Sequence, residues 1–248
     1  MTNTNIASRE VCDLIFEDFF TKKPVLNVDY ANVVTTEVTG ETVFAYGGKG
    51  HAKRIAFYGE KGGTISFECQ IQPFKLYALL SGADIQNTAS FLKREVLTAA
   101  EGKLTLTDTP AASDRVNVFP ADDDCGAAVA VTVSGKEVTL PESSTGNFVA
   151  YYMVTKTSGV QRINLNANTF PKTFAAYAST VEKSEADELL PYKMVVYKCA
   201  PQTNFTLSFS NSGDPATLTF TADLLTDDQG NMLDMILLEA ENGASAEA

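Results

Sequence analysis

The sequence predicts a mainly β protein: a β-sandwich or barrel-like domain with a flanking helix and an inserted β subdomain. Three observations predict it. Runs such as Thr64-Ile-Ser-Phe-Glu-Cys-Gln-Ile-Gln72, Asn204-Phe-Thr-Leu-Ser-Phe-Ser210 and Thr217-Leu-Thr-Phe-Thr-Ala222 alternate between apolar and polar residues. A period of two sends one kind of side chain to each face of a sheet. Turn signals recur at short intervals through the middle of the chain, at Asp122-Asp-Asp-Cys-Gly126, Ser134-Gly135, Ser143-Ser-Thr-Gly146 and Ser158-Gly159, which is the punctuation of short strands. Thr, Val and Phe are plentiful and Trp is absent, a composition that leans towards strands.

Taken in order, residues 10–20 read as a helix. Val11, Leu14, Ile15 and Phe19 share one stripe, Ser8 can cap it, and Pro24 follows its end. Residues 32–39 and 41–46 read as strands about a turn at Gly40, and a Gly-rich basic stretch, Gly47-Gly-Lys-Gly-His-Ala-Lys-Arg54, precedes an apolar pair of strands running through Gly62-Gly63. The run 64–72 presents Thr64, Ser66, Glu68, Gln70 and Gln72 on one face and Ile65, Phe67, Cys69 and Ile71 on the other. Pro73 then opens a short helix, 74–80, that Gly82 stops. Strands are expected at 91–97 and 103–107, then at 116–119, 128–133, 148–155 and 161–165 within a compact segment of 110–165. The chain returns through 170–178 and 193–198 to a last hairpin of 217–225 and 232–238, followed by a small, acidic and mobile tail, 239–248. The expected organisation is a main domain of residues 1–109 and 166–248 interrupted by an inserted β subdomain, 110–165.

Charge is distributed unevenly. Of a formal net charge of −12, the stretch after Lys198 carries −8, because Asp214, Asp223, Asp227, Asp228, Asp234, Glu239, Glu241 and Glu247 follow it without one Lys or Arg. Sequence-specific nucleic-acid binding needs cationic neutralisation of phosphates, so that class is disfavoured, although DNA can pass such a surface without adhering. One face of the alternating runs is apolar and the other is a field of Ser and Thr near carboxylates, suited to assembly and to repulsion of polyanions. The first ten residues lack the basic and apolar regions of a signal peptide, and no run approaches the roughly 18 apolar residues that cross a bilayer; a soluble, cytosolically made protein is expected. Cys12, Cys69, Cys125 and Cys199 form no close pair, so reduced thiols are expected, those at 69 and 199 packed as small hydrophobes.

No catalytic, cofactor-binding or metal-ligating constellation stands out. His51 is the only histidine, and it lies in a Gly-rich loop with no nucleophile motif. The surrounding stretch lacks the spacing and the hydroxyl residue of a phosphate loop. It holds the chain's main basic cluster, so Lys49, His51, Lys53 and Arg54 are candidates for contact with the acidic surface of a neighbouring copy, or else form a solvated loop. Asp122, Asp123 and Asp124 lack the alternating ligands of a calcium loop and read as a solvated turn. Asn204-Phe-Thr206 matches a glycosylation acceptor, without a secretory signal to give it meaning.

The chain resembles bacteriophage tail tube (major tail) proteins. The resemblance rests on Glu41-Thr-Val-Phe-Ala-Tyr-Gly-Gly-Lys-Gly50, Glu95-Val-Leu-Thr-Ala-Ala-Glu-Gly-Lys-Leu-Thr-Leu106, Phe170-Pro-Lys-Thr-Phe174 and above all Pro201-Gln-Thr-Asn-Phe-Thr-Leu-Ser-Phe-Ser-Asn-Ser-Gly-Asp-Pro215. It implies a non-enzymatic virion protein with no cofactor, whose subunits form hexameric rings that stack into a tube. Neighbouring sheets then join into an inner barrel through which DNA is ejected. It further implies contacts with sheath, tail terminator and baseplate proteins, no membrane, and the inserted segment on the outside. A wall that must not bind DNA wants short neutral side chains and negative potential. The lumen-face candidates are therefore Thr64, Ser66, Glu68 and Gln70, or the faces of Thr206, Ser208 and Ser210 and of Thr217, Thr219 and Thr221. The rival readings are a phage head decoration, vertex or neck protein and, below it, a ligand-binding β module, for which the clustered aromatics of a binding groove are missing.

Overall fold

Four phenylalanine rings drawn from four strands form the centre of the larger of two units. The computed structural model describes residues 5–142, 144–211 and 213–239; the remainder of the tail expected to be mobile, 240–248, lies outside them. The chain divides into one unit of Met1–Asp84 with Asn164–Ala248 and a second of Ile85–Ile163. The division falls earlier than the expected boundary at 109/110, because the strand 89–98 pairs over its whole length within the second unit.

The first unit contains β1 (Ile6–Ser8), β2 (Asp13–Asp18), β3 (Pro24–Val28), β4 (Val33–Gly47), β5 (Ala52–Cys69) and the helix α1 (Phe74–Ser81). After the second unit it resumes with β12 (Phe174–Ser184), β13 (Leu189–Pro201), β14 (Leu218–Leu225) and β15 (Leu233–Leu237). Among the described residues these strands form one antiparallel sheet in the order β3-β2-β12-β13-β14-β5-β4, with β1 also on β12 and β15 also on β13. Phe67 of β5 and Phe220 of β14 are cross-strand partners with stacked rings 5.0 Å apart. Phe16 of β2 stands four strands from β5 along this path, yet its ring centroid is 5.9 Å from Phe67 and 5.1 Å from Phe220. The sheet therefore curls over upon itself, and Phe174 of β12 closes the group edge-on, 6.5 Å from Phe16. Each such ring, fully buried, contributes about 1.5–3 kcal/mol through removal of apolar surface from water. Leu76, Leu79 and Leu80 of α1 pack into the same core.

Several expected elements differ. Residues 10–20 are not a helix: Leu14 and Phe16 are buried while Asp13 and Ile15 are exposed, a period of two that lets β2 pair with β12 from Asp18↔Phe174 to Asp13↔Ser179. The helical stripe was a coincidence of apolar residues three and four apart in a short segment. Gly40 is no turn. β4 runs through it with a register irregularity between Gly40 and Thr42, and β5 runs unbroken through Gly62 and Gly63. A Cβ on Gly63 would lie 2.2 Å from the Glu37 carbonyl oxygen, so this glycine permits close strand approach. The last two strands do not pair with each other. β14 and β15 follow one another along the same edge of β13, at Pro201↔Ala222 to Lys198↔Leu225 and then Val196↔Leu233 to Tyr192↔Leu237. The interruption between them is held by Asp227, whose carboxylate accepts the backbone N–H groups of Gln229 (2.9 Å) and Asn231 (2.8 Å).

The second unit consists of β6 (Ala89–Thr98), β7 (Lys103–Thr105), β8 (Asn117–Pro120), β9 (Thr132–Ser134), β10 (Glu137–Thr139) and β11 (Asn147–Lys156). They form two three-stranded sheets, β6-β11-β8 and β7-β10-β9, about a core that includes Leu104, Val118, Val138, Ala150 and Tyr152. The segment 161–165 supplies no strand, only the bridge of Arg162 to Gln86.

Helix α1 ends where expected, at Gly82. That residue is left-handed, with φ of 67°, and a Cβ there would meet the Phe170 carbonyl oxygen at 2.1 Å. Gly82→Ala is expected to cost at least about 2 kcal/mol, strain and clash together. Gly40→Ala, with open space about it, serves as the control and should remain near wild type in urea unfolding.

Candidate functional site

Two surfaces of the first unit stand out, a polar sheet face and a protruding two-stranded arm. The polar face is built by register. Val33, Glu68 and Thr219 lie in one cross-strand row, Thr35, Ser66 and Thr221 in the next, and Glu37, Thr64 and Asp223 in a third. The residues between them, Ile65, Phe67, Leu218, Phe220 and Ala222, are buried on the opposite face. The hydroxyl and carboxylate groups must point away from the core, because the pleat leaves them no other direction. These three rows contain no Lys or Arg. Gln202 joins them at the border, donating from Nε2 to the Asp223 carboxylate at 2.8 Å and from its backbone N–H to the Thr221 carbonyl at 2.8 Å.

The lumen-face candidates from the sequence thus divide. Thr64, Ser66, Glu68, Thr219 and Thr221, read as alternative faces, come together on one face. Gln70 lies just beyond the end of β5 and Thr217 just before the start of β14. Thr206, Ser208 and Ser210 belong to no strand among the described residues. Their alternation has no ladder in the monomer to express it, and Leu207 and Phe209 are 48 % and 93 % exposed. Thr35, Glu37 and Asp223 were missed, although Val33-Val-Thr-Thr-Glu37 is legible as a neighbouring strand.

The arm is the distal part of the β4–β5 hairpin. Residues 37–43 of β4 and 52–61 of β5 are all exposed, so this ribbon has neither face covered within the subunit. Val43 pairs with Phe57 and Ala45 with Ile55, which places these apolar side chains on one face. The basic cluster occupies the tip. His51 has a positive φ of 49° in the turn, its N–H directed at the Gly48 carbonyl. Lys53 Nζ lies 4.0 Å from the centroid of the Phe44 ring, a cation–π contact. Arg54 packs along Gly47 and Gly48. Among the described residues Lys49, Lys53 and Arg54 form no ion pair within the subunit.

A family model matches residues 8–236 and is described as the YomU/Tube protein family. The chain belongs to the YomU/Tube family. This is a phage-associated tube family, in agreement with the resemblance read from the sequence, and membership suggests a structural tube-like component of a virion and not an enzyme. No curated protein matches the chain. No helix among the described residues is long and apolar enough to cross a membrane.

Two further charged clusters of this YomU/Tube chain lie within its second unit. Asp124, expected to be solvated, accepts from Arg94 Nη2 at 2.7 Å and from the Tyr151 hydroxyl at 3.0 Å. Lys93 bridges Glu95 and Asp108, the latter at 2.6 Å. Burial alone would raise the Glu95 carboxyl, but the Lys93 ammonium, the Thr107 N–H and the Tyr152 hydroxyl outweigh it and hold the group down at about 2. Its hydrogen bond to Asp108, joined by that to Glu95, pushes Lys93 upwards. General acids and bases work best with pKa values near the operating pH, and both groups are driven away from it. The cluster acts as a staple beside the core. Cys69 and Cys199 are buried free thiols, and burial pushes Cys199 up to about 12.

The Glu95 carboxylate is depressed in the folded state, so its contribution is complete above the ordinary value of 4.5 and is lost as pH falls towards about 2. Glu95→Gln should therefore be less stable than wild type at pH 7. The gap should narrow between about pH 4.5 and pH 2 in denaturant titrations.

Proposed function

We propose that the protein polymerises as stacked, hexameric rings into a phage tail tube, with the β4-β5-β14 face turned to the bore through which genomic DNA passes. The observation that carries this reading is the three-row face of Thr, Ser, Glu and Asp, with Val33 at one corner and no basic residue. Polyanion transport requires weak attraction at every step. Lys and Arg on the wall would release counterions on contact with phosphate and hold the DNA, whereas short hydroxyls and scattered carboxylates do not. The net charge of −12 acts in the same direction over a longer range.

The arm supplies the contact between copies. An isolated two-stranded ribbon is marginal in water, and this one carries Val43, Ile55, Phe57 and Tyr58 at 56–84 % exposure. Docked on a neighbouring copy, the ribbon buries those side chains and its cationic tip meets an acidic protein. A head-to-tail contact of this kind uses different surfaces on the two partners, which produces rings or open stacks. Sheath, tail terminator and baseplate proteins are the further partners in a tail of this type, and the virion tail is the location.

Negative-stain electron microscopy of the purified protein at rising concentration tests the reading. Hollow tubes with a six-fold end view are expected; a persistent monomer or a trimer overturns it. Reversing the tip with Lys49→Glu, Lys53→Glu and Arg54→Glu should leave the melting temperature of the monomer unchanged and raise the concentration needed for assembly by about tenfold or more. Glu68→Lys with Thr219→Lys should still assemble, but the tubes should cosediment with DNA at low salt and release it as salt rises.

A further inference from the structure

We propose that residues 204–209 form an intermolecular strand, adding to the free edge of β4 in a second copy of the chain. The inference rests on the tube reading above and names the surface by which copies join side by side. Residues 202–217 connect β13 to β14, where a hairpin ordinarily needs about two to five residues. Loops of this length in compact domains are commonly functional. Within the loop, Phe205, Leu207 and Phe209 alternate with Asn204, Thr206 and Ser208, a pattern that has meaning only in a sheet. Phe205 packs against the core of its own subunit, whereas Leu207 is 48 % and Phe209 93 % exposed.

The path of the sheet ends in two outer edges, β3 and β4. Beside them the shorter strands β1 and β15, of three and five residues, each leave a further side without a strand among the described residues. The edges β3 and β4 differ in what they leave uncovered. On β3 the core-side residues Leu26 and Val28 are already buried, so an added strand would cover little. On β4 the core-side row is Val34, Thr36 and Val38, opposite Phe67, Ile65 and Gly63. Val34 and Thr36 are only half-buried, and Val38 is 61 % exposed. A strand laid there with Leu207 and Phe209 inward would seal this row. The same orientation sends Thr206 and Ser208 outward, beside Thr35 and Glu37, and extends the hydroxyl face across the subunit boundary. Six residues at about 3.4 Å each span roughly 20 Å, which matches Val33 to Val38. Main-chain hydrogen bonds supply affinity in such strand addition and alternate side chains supply register. Occupying the edge also removes its capacity for unwanted pairing.

Hydrogen exchange read by mass spectrometry on the free and the assembled protein tests this directly. Peptides covering 203–210 and 33–38 should slow by at least tenfold on assembly. The double variant Leu207→Asp with Phe209→Asp should keep the wild-type melting temperature, since both side chains are exposed, and should fail to assemble at the wild-type concentration. Tubes in which 203–210 still exchanges at the free rate, or a double variant that assembles normally, overturn the strand while leaving the tube reading standing. A wild-type protein that never assembles overturns both.

Discussion

The contact of Phe16 with Phe67 and Phe220 is the interaction on which the first unit depends. It joins strands that hydrogen bonding alone would leave three and four positions apart, and so converts an open sheet into a curled one with an interior. Once one face of β5 and β14 is committed to that interior, the pleat sends Thr64, Ser66, Glu68, Thr219, Thr221 and Asp223 outward as a set. The polar face is therefore a by-product of packing. Its continuity comes from the strand register, since a slip of one residue would turn the phenylalanines outward and the hydroxyls in.

The same sheet contains parts that its own core does not hold. The proximal half of the β4–β5 hairpin belongs to the ladder over the core, while the distal half and residues 206–210 leave apolar side chains exposed. Free-energy differences of this kind within one domain are common, and regions that engage partners are drawn from the less stable end. In the proposed tube the missing burial comes from neighbouring copies, which couples ordering of the arms to assembly. The β12–β13 hairpin stands at the other extreme. It is bordered on one side by β1 and β2 and on the other by β15 and β14, each pair lying end to end along one edge.

The elements that were legible are those whose alternation is long and unambiguous. Of the run 64–72, residues 64–69 are strand with the expected faces, while the chain leaves the sheet after Cys69 and Ile71 is exposed. Pro73 and Gly82 bracketed α1 to within a residue. Errors arose where local pattern underdetermines partner. In 10–20 a helical stripe and a strand alternation coexist, and pairing of Leu14 and Phe16 with β12 decided for the strand. Gly40, Gly62 and Gly63 look like turns because glycine is common there, yet at Gly63 the residue is needed for close approach of the Glu37 backbone. Residues 204–210 alternate without a break and form no strand in the monomer. Alternation states a capacity for pairing and does not supply the partner.

By itself, the sequence determined the β class, the polarity of the two faces of β5 and β14, the acidic balance, the lack of a local catalytic motif and the resemblance to a tube family, because these reside in residue type and short-range spacing. Only the tertiary structure decided that β14 and β15 share an edge of β13, that the Thr64 and Thr219 runs make one surface, and that β4 and β5 continue into an uncovered arm. The joining of the Thr64 and Thr219 runs depends on contacts between residues more than a hundred positions apart, where the free energy of burying Phe16 against Phe220 outweighs any local preference, whereas the shared edge and the arm are settled by which of several nearby strands pair.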